Sequence, residues 1–183
     1  MSIESTKTVS STRLEMAQIM EPGDANFLGK VFGGSIMSLI DLCAYATASK
    51  FAGTICVTAS IDRIDFHEPI NVGELVSMVG TVTFVGRTSV EVTIEIYAEN
   101  LMESHRRHTN TARVTMVALK DGKPTEVPRL TPQTREEKAQ FLEGRLRREL
   151  RVKQKEELER VIRTYTEASE QELDALLSRN QLQ

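Results

Sequence analysis

Apolar residues along this chain follow two different periods, and the change between them outlines the fold. From Ile36 they recur at Leu39, Ile40, Cys43 and Ala44, with Thr47 next in line, the spacing of one helix face. Gly33-Gly34-Ser35 precede the run, and Gly53 is expected to stop it. Ala44, Ala46, Ala48 and Ser49 are small enough for a sheet to approach this helix closely.

The period then drops to two. Ile55, Val57, Ala59 and Ile61 alternate with Cys56, Thr58, Ser60 and Asp62. The apolar phase next shifts to Ile64 and Phe66, which predicts a bulge near Asp62-Arg63. Val76, Met78, Val82 and Phe84 mark a further strand, and Gly86-Arg87-Thr88-Ser89 a turn. Val90, Val92, Ile94 and Ile96 follow, and Ala112, Val114, Met116 and Ala118 mark a last strand before Asp121-Gly122. Ahead of the helix, Arg13 to Met20 reads as a short strand broken by Glu21-Pro22-Gly23-Asp24.

The order is strand, helix, then four strands with mostly short connections, which favours an antiparallel sheet because parallel neighbours need long crossovers. A long helix on such a sheet is an α+β arrangement. One helix cannot cover both faces, so a partner subunit is expected to bury more apolar surface. After Thr131-Pro132 the strand pattern ends. Leu142, Leu146 and Leu150, then Leu158, Val161, Ile162 and Tyr165, lie at helical spacing among alternating charges. These helices either pack on the body or a partner, or form an exposed appendage. The expected division is a loose leader over 1–12, a body over 13–130 and a charged helical extension over 131–183.

Composition narrows the function classes. Of 183 residues, 40% are hydrophobic and 27% charged, with net charge -3, an ordinary balance for a soluble chain. Nothing resembles the basic surplus of a nucleic-acid binder, and Glu149 interrupts the basic stretch from Arg145 to Lys155. No apolar run approaches bilayer length, and the polar N-terminus lacks a signal-peptide core. A cytoplasmic protein is expected. Cys43 and Cys56 sit among apolar neighbours and read as buried small hydrophobes. With His67, His105 and His108 they do not fall at ligand spacing, so no metal is expected.

Four features carry candidate chemistry. Asp41 lies at the border of the helix's apolar face, where partial burial raises a carboxyl pKa as a general base requires; otherwise it is a wet-side Asp. Gly33-Gly34 opens the helix, where free N–H groups and a positive dipole end can hold an oxyanion; otherwise it is a tight turn. Asn26, in Asp24-Ala25-Asn26, can donate to an oxyanion or orient a water, while Asp24 can hold the loop. Arg87 with Thr88 and Ser89 offers a guanidinium, hydroxyls and N–H groups to a phosphate; otherwise it is a solvated hairpin turn. Arg63, Lys120 and Arg129 are weaker cationic candidates, and His67 at a strand end reads as structural.

Asp24-Ala25-Asn26-Phe27-Leu28-Gly29-Lys30-Val31-Phe32-Gly33-Gly34, followed by Ile36-Met37 and Leu39-Ile40-Asp41, closely resembles acyl-CoA hydrolases of the hotdog superfamily. The branch is that of the YciA-type and brain-type cytosolic acyl-CoA hydrolases. The likeness continues through Val57-Thr58-Ala59-Ser60, Asp65-Phe66, Pro69-Ile70, Gly73-Glu74, Val85-Gly86-Arg87-Thr88-Ser89-Val90 and Glu126-Val127-Pro128, covering roughly 14–129. It implies a hotdog fold, a long helix wrapped by an antiparallel sheet of about five strands. It also implies hydrolysis of acyl-CoA thioesters with no cofactor beyond the coenzyme A of the substrate. Asp41 and Asn26 are the implied catalytic pair, and the implied assembly is a homodimer, usually extended to a trimer of dimers.

The resemblance does not cover the C-terminal extension. Gly23-Asp24-Ala25-Asn26 also resembles the start of the hotdog enoyl-thioester hydratase pattern, but Phe27 replaces its proline and Gly29 its histidine. A non-catalytic acyl-CoA-binding module is the remaining alternative. Asp41 lies seven residues after Gly34, about 10 Å along a helix axis, too far for both to serve one carbonyl. A site shared between two protomers is therefore expected.

Overall fold

The computed structural model describes residues 6–62, 64, 68–103 and 105–180. It comprises two compact units, Met1–Leu142 and Glu143–Gln183. The first holds β1 (Thr6–Thr8), β2 (Leu14–Ile19), α1 (Gly33–Ala52), β3 (Cys56–Ile61), β4 (Leu75–Val85), β5 (Ser89–Asn100), β6 (His105–Lys120), β7 (Lys123–Pro124) and β8 (Arg129–Thr131). α2 (Arg135–Glu167) crosses the division, which therefore falls later than the strand pattern suggested, and α3 (Glu170–Asn180) lies in the second unit.

The main sheet has strand order β2-β4-β5-β6-β3, and each of these neighbouring pairs is antiparallel. β7 folds back on the end of β6. α1 lies against one face. Ile36, Ile40, Cys43, Ala44, Thr47, Ala48 and Phe51 are its buried positions, close to the set that the 3.6-residue spacing selects. Gly53 ends the helix at φ +72°, a left-handed cap that glycine adopts without a Cβ penalty. Val90, Val92, Ile94, Ile96 and Ala98 form the inward row of the central strand β5. Each fully buried branched side chain contributes about 1.5–3 kcal/mol.

Close approach of helix and sheet centres on Gly80 of β4. A Cβ there would lie 3.1 Å from Cys43 Sγ and inside van der Waals contact of Thr47 Oγ1. Gly80→Ala is expected to lower stability by about 1–3 kcal/mol, read as a shift of the urea midpoint without a change in slope.

The leader is not loose from Thr6 onward: β1 pairs in parallel with β8, and Val9 and Thr12 are buried. Lys7 Nζ donates to Phe51 O (2.7 Å) at the C-terminal end of α1, where a cation meets the negative dipole end. The pairing of β3 with β6 shifts register between Thr58 and Ser60; the bulge expected near Asp62-Arg63 falls at Arg63, outside the described residues. In β3 Cys56 is buried, Val57, Thr58 and Ala59 are exposed, and Ile61 packs partly buried against the core; Ile55, just before the strand, is exposed. β3 is an edge strand of the sheet.

In the second unit α2 carries i,i+4 and i,i+3 ion pairs, including Arg145–Glu149 (3.1 Å) and Arg160–Glu157 (2.6 Å). Ser169 N–H donates to Glu172 Oε2 (2.8 Å) at the start of α3. Among the described residues no helix is long and apolar enough to cross a membrane.

Candidate active site

Two groups of candidate residues lie apart along α1, one at its middle and one at its start. Asp41, in the middle of α1, is exposed on the single chain rather than partly desolvated. It faces β3, where Thr58 Oγ1 donates to its Oδ1 (2.5 Å). The hydroxyl thus fixes one carboxylate oxygen and leaves the other for a reactant. Thr58 Oγ1 also lies 3.3 Å from Met116 Sδ on β6, which buttresses the threonine from behind. Ser38, Leu42, Tyr45, Cys56 and Val57 complete the lining of an open cavity of about 560 Å³ at this carboxylate.

Cys56 lines the cavity as a buried thiol. Burial pushes its thiol pKa up, partly offset by the Ser49 hydroxyl, so the thiolate is scarce. Cys43 is raised for the same reason. Both cysteines are free and buried.

The second group is the loop before α1. Asn26 Oδ1 accepts two backbone N–H groups, from Leu28 (2.9 Å) and Lys30 (3.1 Å). With its carbonyl oxygen occupied by the loop, the carboxamide keeps its NH₂ as a donor. Gly29 sits at φ +71° in this loop, a conformation that disfavours other residues. Asp24 Oδ2 accepts from Glu21 N–H (2.9 Å) and holds the entry turn. Phe32 is the N-cap of α1, and the first helical amide bonded to it is that of Ser35 (3.0 Å to Phe32 O). Gly33 and Gly34 precede that bond at N1 and N2, where N–H groups have no intrahelical acceptor. A Cβ on Gly34 would lie 2.8 Å from Phe32 Cδ1, so glycine lets the ring fold over the helix start.

Neither Asn26, Gly33 nor Gly34 lines the Asp41 cavity. The seven-position step from Gly34 to Asp41 spans about 10 Å of helix. Arg87, Thr88 and Ser89 form the β4–β5 turn, closed by Gly86 N–H to Ser89 O (2.8 Å). Arg87 O accepts from Val127 N–H (3.1 Å), and its guanidinium stands 3.9 Å from Glu126 with both side chains largely exposed. Such a pair is weak, so the cation is available to another anion. Lys120 and Arg129 are exposed, and His67 lies outside the described residues.

Thr58 is the residue that sequence reasoning missed. It appeared as one position in an alternating strand and in the Val57-Thr58-Ala59-Ser60 stretch. Only the packing of β3 beside α1 brings its hydroxyl to Asp41.

The thioesterase superfamily model matches residues 28–105. The chain is 41% identical over 117 residues to an uncharacterized acyl-CoA thioester hydrolase, YkhA, of Bacillus subtilis, covering 63% of this chain and 68% of that protein. A crystal structure of an apo-hexameric acyl-CoA thioesterase superposes with TM-score 0.77 at 39% identity, over 81% of this chain and 96% of that one. An acyl-CoA hydrolase of Staphylococcus aureus, in complex with butyryl coenzyme A, coenzyme A and coenzyme A disulfide, superposes with TM-score 0.78 at 32% identity, over 89% of this chain and 100% of that one. Structures of the same enzyme carry an asparagine, an aspartate or a threonine replaced by alanine. Those three positions are spaced along that chain as Asn26, Asp41 and Thr58 are along this one.

Proposed function

This chain belongs to the thioesterase superfamily of acyl-CoA thioester hydrolases, and we propose that it cleaves acyl-CoA to a fatty acid and coenzyme A at a site shared by two protomers. The observation that carries this reading is the Asp41 carboxylate, held by Thr58 at an open cavity on the protomer's surface.

In the proposed reaction, Asp41 removes a proton from a water whose oxygen attacks the thioester carbonyl carbon. The carbonyl oxygen becomes an oxyanion, held by the Gly34 N–H with Gly33 beside it and by the NH₂ of Asn26. Collapse of the tetrahedral intermediate breaks the C–S bond, and the proton on Asp41 passes to the departing thiolate. Direct attack by Asp41 gives an anhydride that water then opens, with the same products. Oxygen-18 water in a single turnover tests the covalent route: label in Asp41 marks the anhydride.

Distance demands the second protomer. Exposed Leu42, Tyr45, Ile55 and Val57 flank Asp41 beside the edge strand β3, and exposed Phe27, Leu28 and Phe32 flank Asn26. Burying these surfaces against a second copy brings one protomer's Asp41 to its partner's oxyanion donors and excludes water. The hexameric state of the similar thioesterase fits a trimer of such dimers. Arg87, Thr88 and Ser89 are the proposed contacts for the coenzyme A phosphates. Two free thiols fit a reducing cytoplasm.

Thiol release from a panel of acyl-CoAs tests the activity, and complementation tests the shared site. Asp41→Ala and Asn26→Ala proteins, each inactive alone, are expected to regain activity when unfolded together and refolded, because mixed dimers contain one intact pair. No recovery despite mixed dimers would place both residues in one protomer's site.

A further inference from the structure

Asn26 is held by more than its own loop. Its Oδ1 accepts the Lys30 N–H (3.1 Å), and Lys30 Nζ donates to Asn71 Oδ1 (2.7 Å) in the segment before β4. Lys30 and Asn71 also form a β-bridge, and Val31 N–H donates to Ile70 O (2.9 Å). The Asn71 segment is itself fastened. Glu74 Oε2 accepts the Asn71 N–H (2.7 Å), and Glu74 N–H donates to Asn71 O (3.2 Å) across a turn with Gly73 at φ +89°. Arg107 on β6 donates from Nη1 to Glu74 Oε1 (2.7 Å) and from Nη2 to Oε2 (2.9 Å), and Nη2 reaches Pro69 O (2.7 Å). Glu74 is 6% exposed.

We infer that Asn71 and Lys30, anchored by the Glu74–Arg107 fork, are positioning residues that aim the Asn26 carboxamide at the oxyanion, an inference that rests on the catalytic reading of Asn26 given above. The physical reason is reach. The Asn26 loop protrudes from the protomer with Phe27 and Leu28 exposed, and its own turn does not tie it to the sheet. The bidentate fork fixes the 69–74 segment to β6 at both ends, since Arg107 holds Pro69 O as well as Glu74. The Lys30–Asn71 contact then passes that fixed frame to the residue whose amide holds Asn26 Oδ1. A donor displaced by a fraction of an ångström loses transition-state stabilisation while substrate binding elsewhere is unaffected.

The test uses the whole chain in its native assembly and reads kcat and KM separately. Lys30→Met and Asn71→Ala are each expected to lower kcat about fivefold to tenfold with KM within about twofold. The double variant is expected to match the worse single one, because both break the same link. Asn71→Asp keeps the acceptor oxygen and is expected to restore kcat. Melting temperatures of Lys30→Met and Asn71→Ala should match the parent, which separates positioning from folding. Unchanged kcat in both singles overturns the inference, as does full multiplication of their effects, or no rescue by Asn71→Asp. Asn26→Ala in the same series keeps the two readings apart. If that variant retains parental kcat, the catalytic role of Asn26 fails; if it is inactive while the Lys30 and Asn71 variants are normal, only the positioning role fails.

Discussion

Asp41→Asn is expected to lower kcat and kcat/KM for acyl-CoA hydrolysis together, by about 10³-fold, within the range attributed to a general base. The substitution is chosen for what it keeps. The carboxamide oxygen still accepts from Thr58, the side chain keeps its volume, and α1 keeps its buried face, which does not include position 41. Only the capacity to take a proton or attack is lost. Thermal stability is therefore expected to stay close to that of the parent, since Asp41 is exposed on the protomer. Thr58→Val provides the graded comparison. It leaves the carboxylate but frees its rotamer, and a loss nearer tenfold is expected. Steady-state thiol release with a melting curve on each variant checks both. Parental kcat in Asp41→Asn would remove this residue from the chemistry.

The largest expected effect on stability comes from Glu74→Ala, which leaves the Arg107 guanidinium beneath a surface that exposes only 20% of it. Breaking such a pair from one side costs about 3–5 kcal/mol, because the remaining charge is desolvated without compensation. The pH dependence follows from the same contact. The Arg107 guanidinium, acting chiefly through the hydrogen-bonded fork and helped by the Asn71 N–H, lowers the Glu74 carboxyl from 4.5 to about 2 against the opposing effect of burial. A carboxyl with a depressed folded-state pKa binds more protons unfolded than folded between those two values. Its contribution is therefore fully present above about pH 4.5 and is lost as pH falls towards 2. The difference amounts to roughly 3 kcal/mol. Urea midpoints of the parent and Glu74→Gln, measured from pH 7 down to pH 2.5, are expected to converge as pH falls. Parallel curves would show that the fork does not carry this linkage.

Much of the site's composition was legible in the chain. Asn26, Gly33, Gly34 and Asp41 stand in a stretch dense enough to identify a family, and the helix between Gly33 and Gly53 is marked at both ends. Geometry alone shows what holds two of them. Asn26 Oδ1 accepts the N–H groups of Leu28 and Lys30, which no spacing rule foretells. Asp41 proved exposed on the protomer and bound to Thr58, a partner distant in sequence.

Strands follow the same division. β5 was written plainly, since its buried row alternates without interruption from Val90 to Ala98. The first half of β6 was not. His105-Arg106-Arg107-His108 has no apolar alternation, and its strand conformation comes from pairing with β5 up to Asn100. There the backbone partner decides where the side chains cannot. β3 has a readable period, but which row faces the core depends on its position at the sheet edge and its bulge after Thr58. The leader carried no signal because β1 is only three residues long and is stabilised by β8, more than a hundred residues away.

The sequence by itself determined the periodicities, the boundaries of α1 and the candidate reactive groups, because these depend on neighbours within a few residues. The tertiary structure decided which strand face is outward, what holds Asp41 and Asn26, and how Glu74 meets Arg107, because each depends on a contact between segments that only the folded sheet brings together.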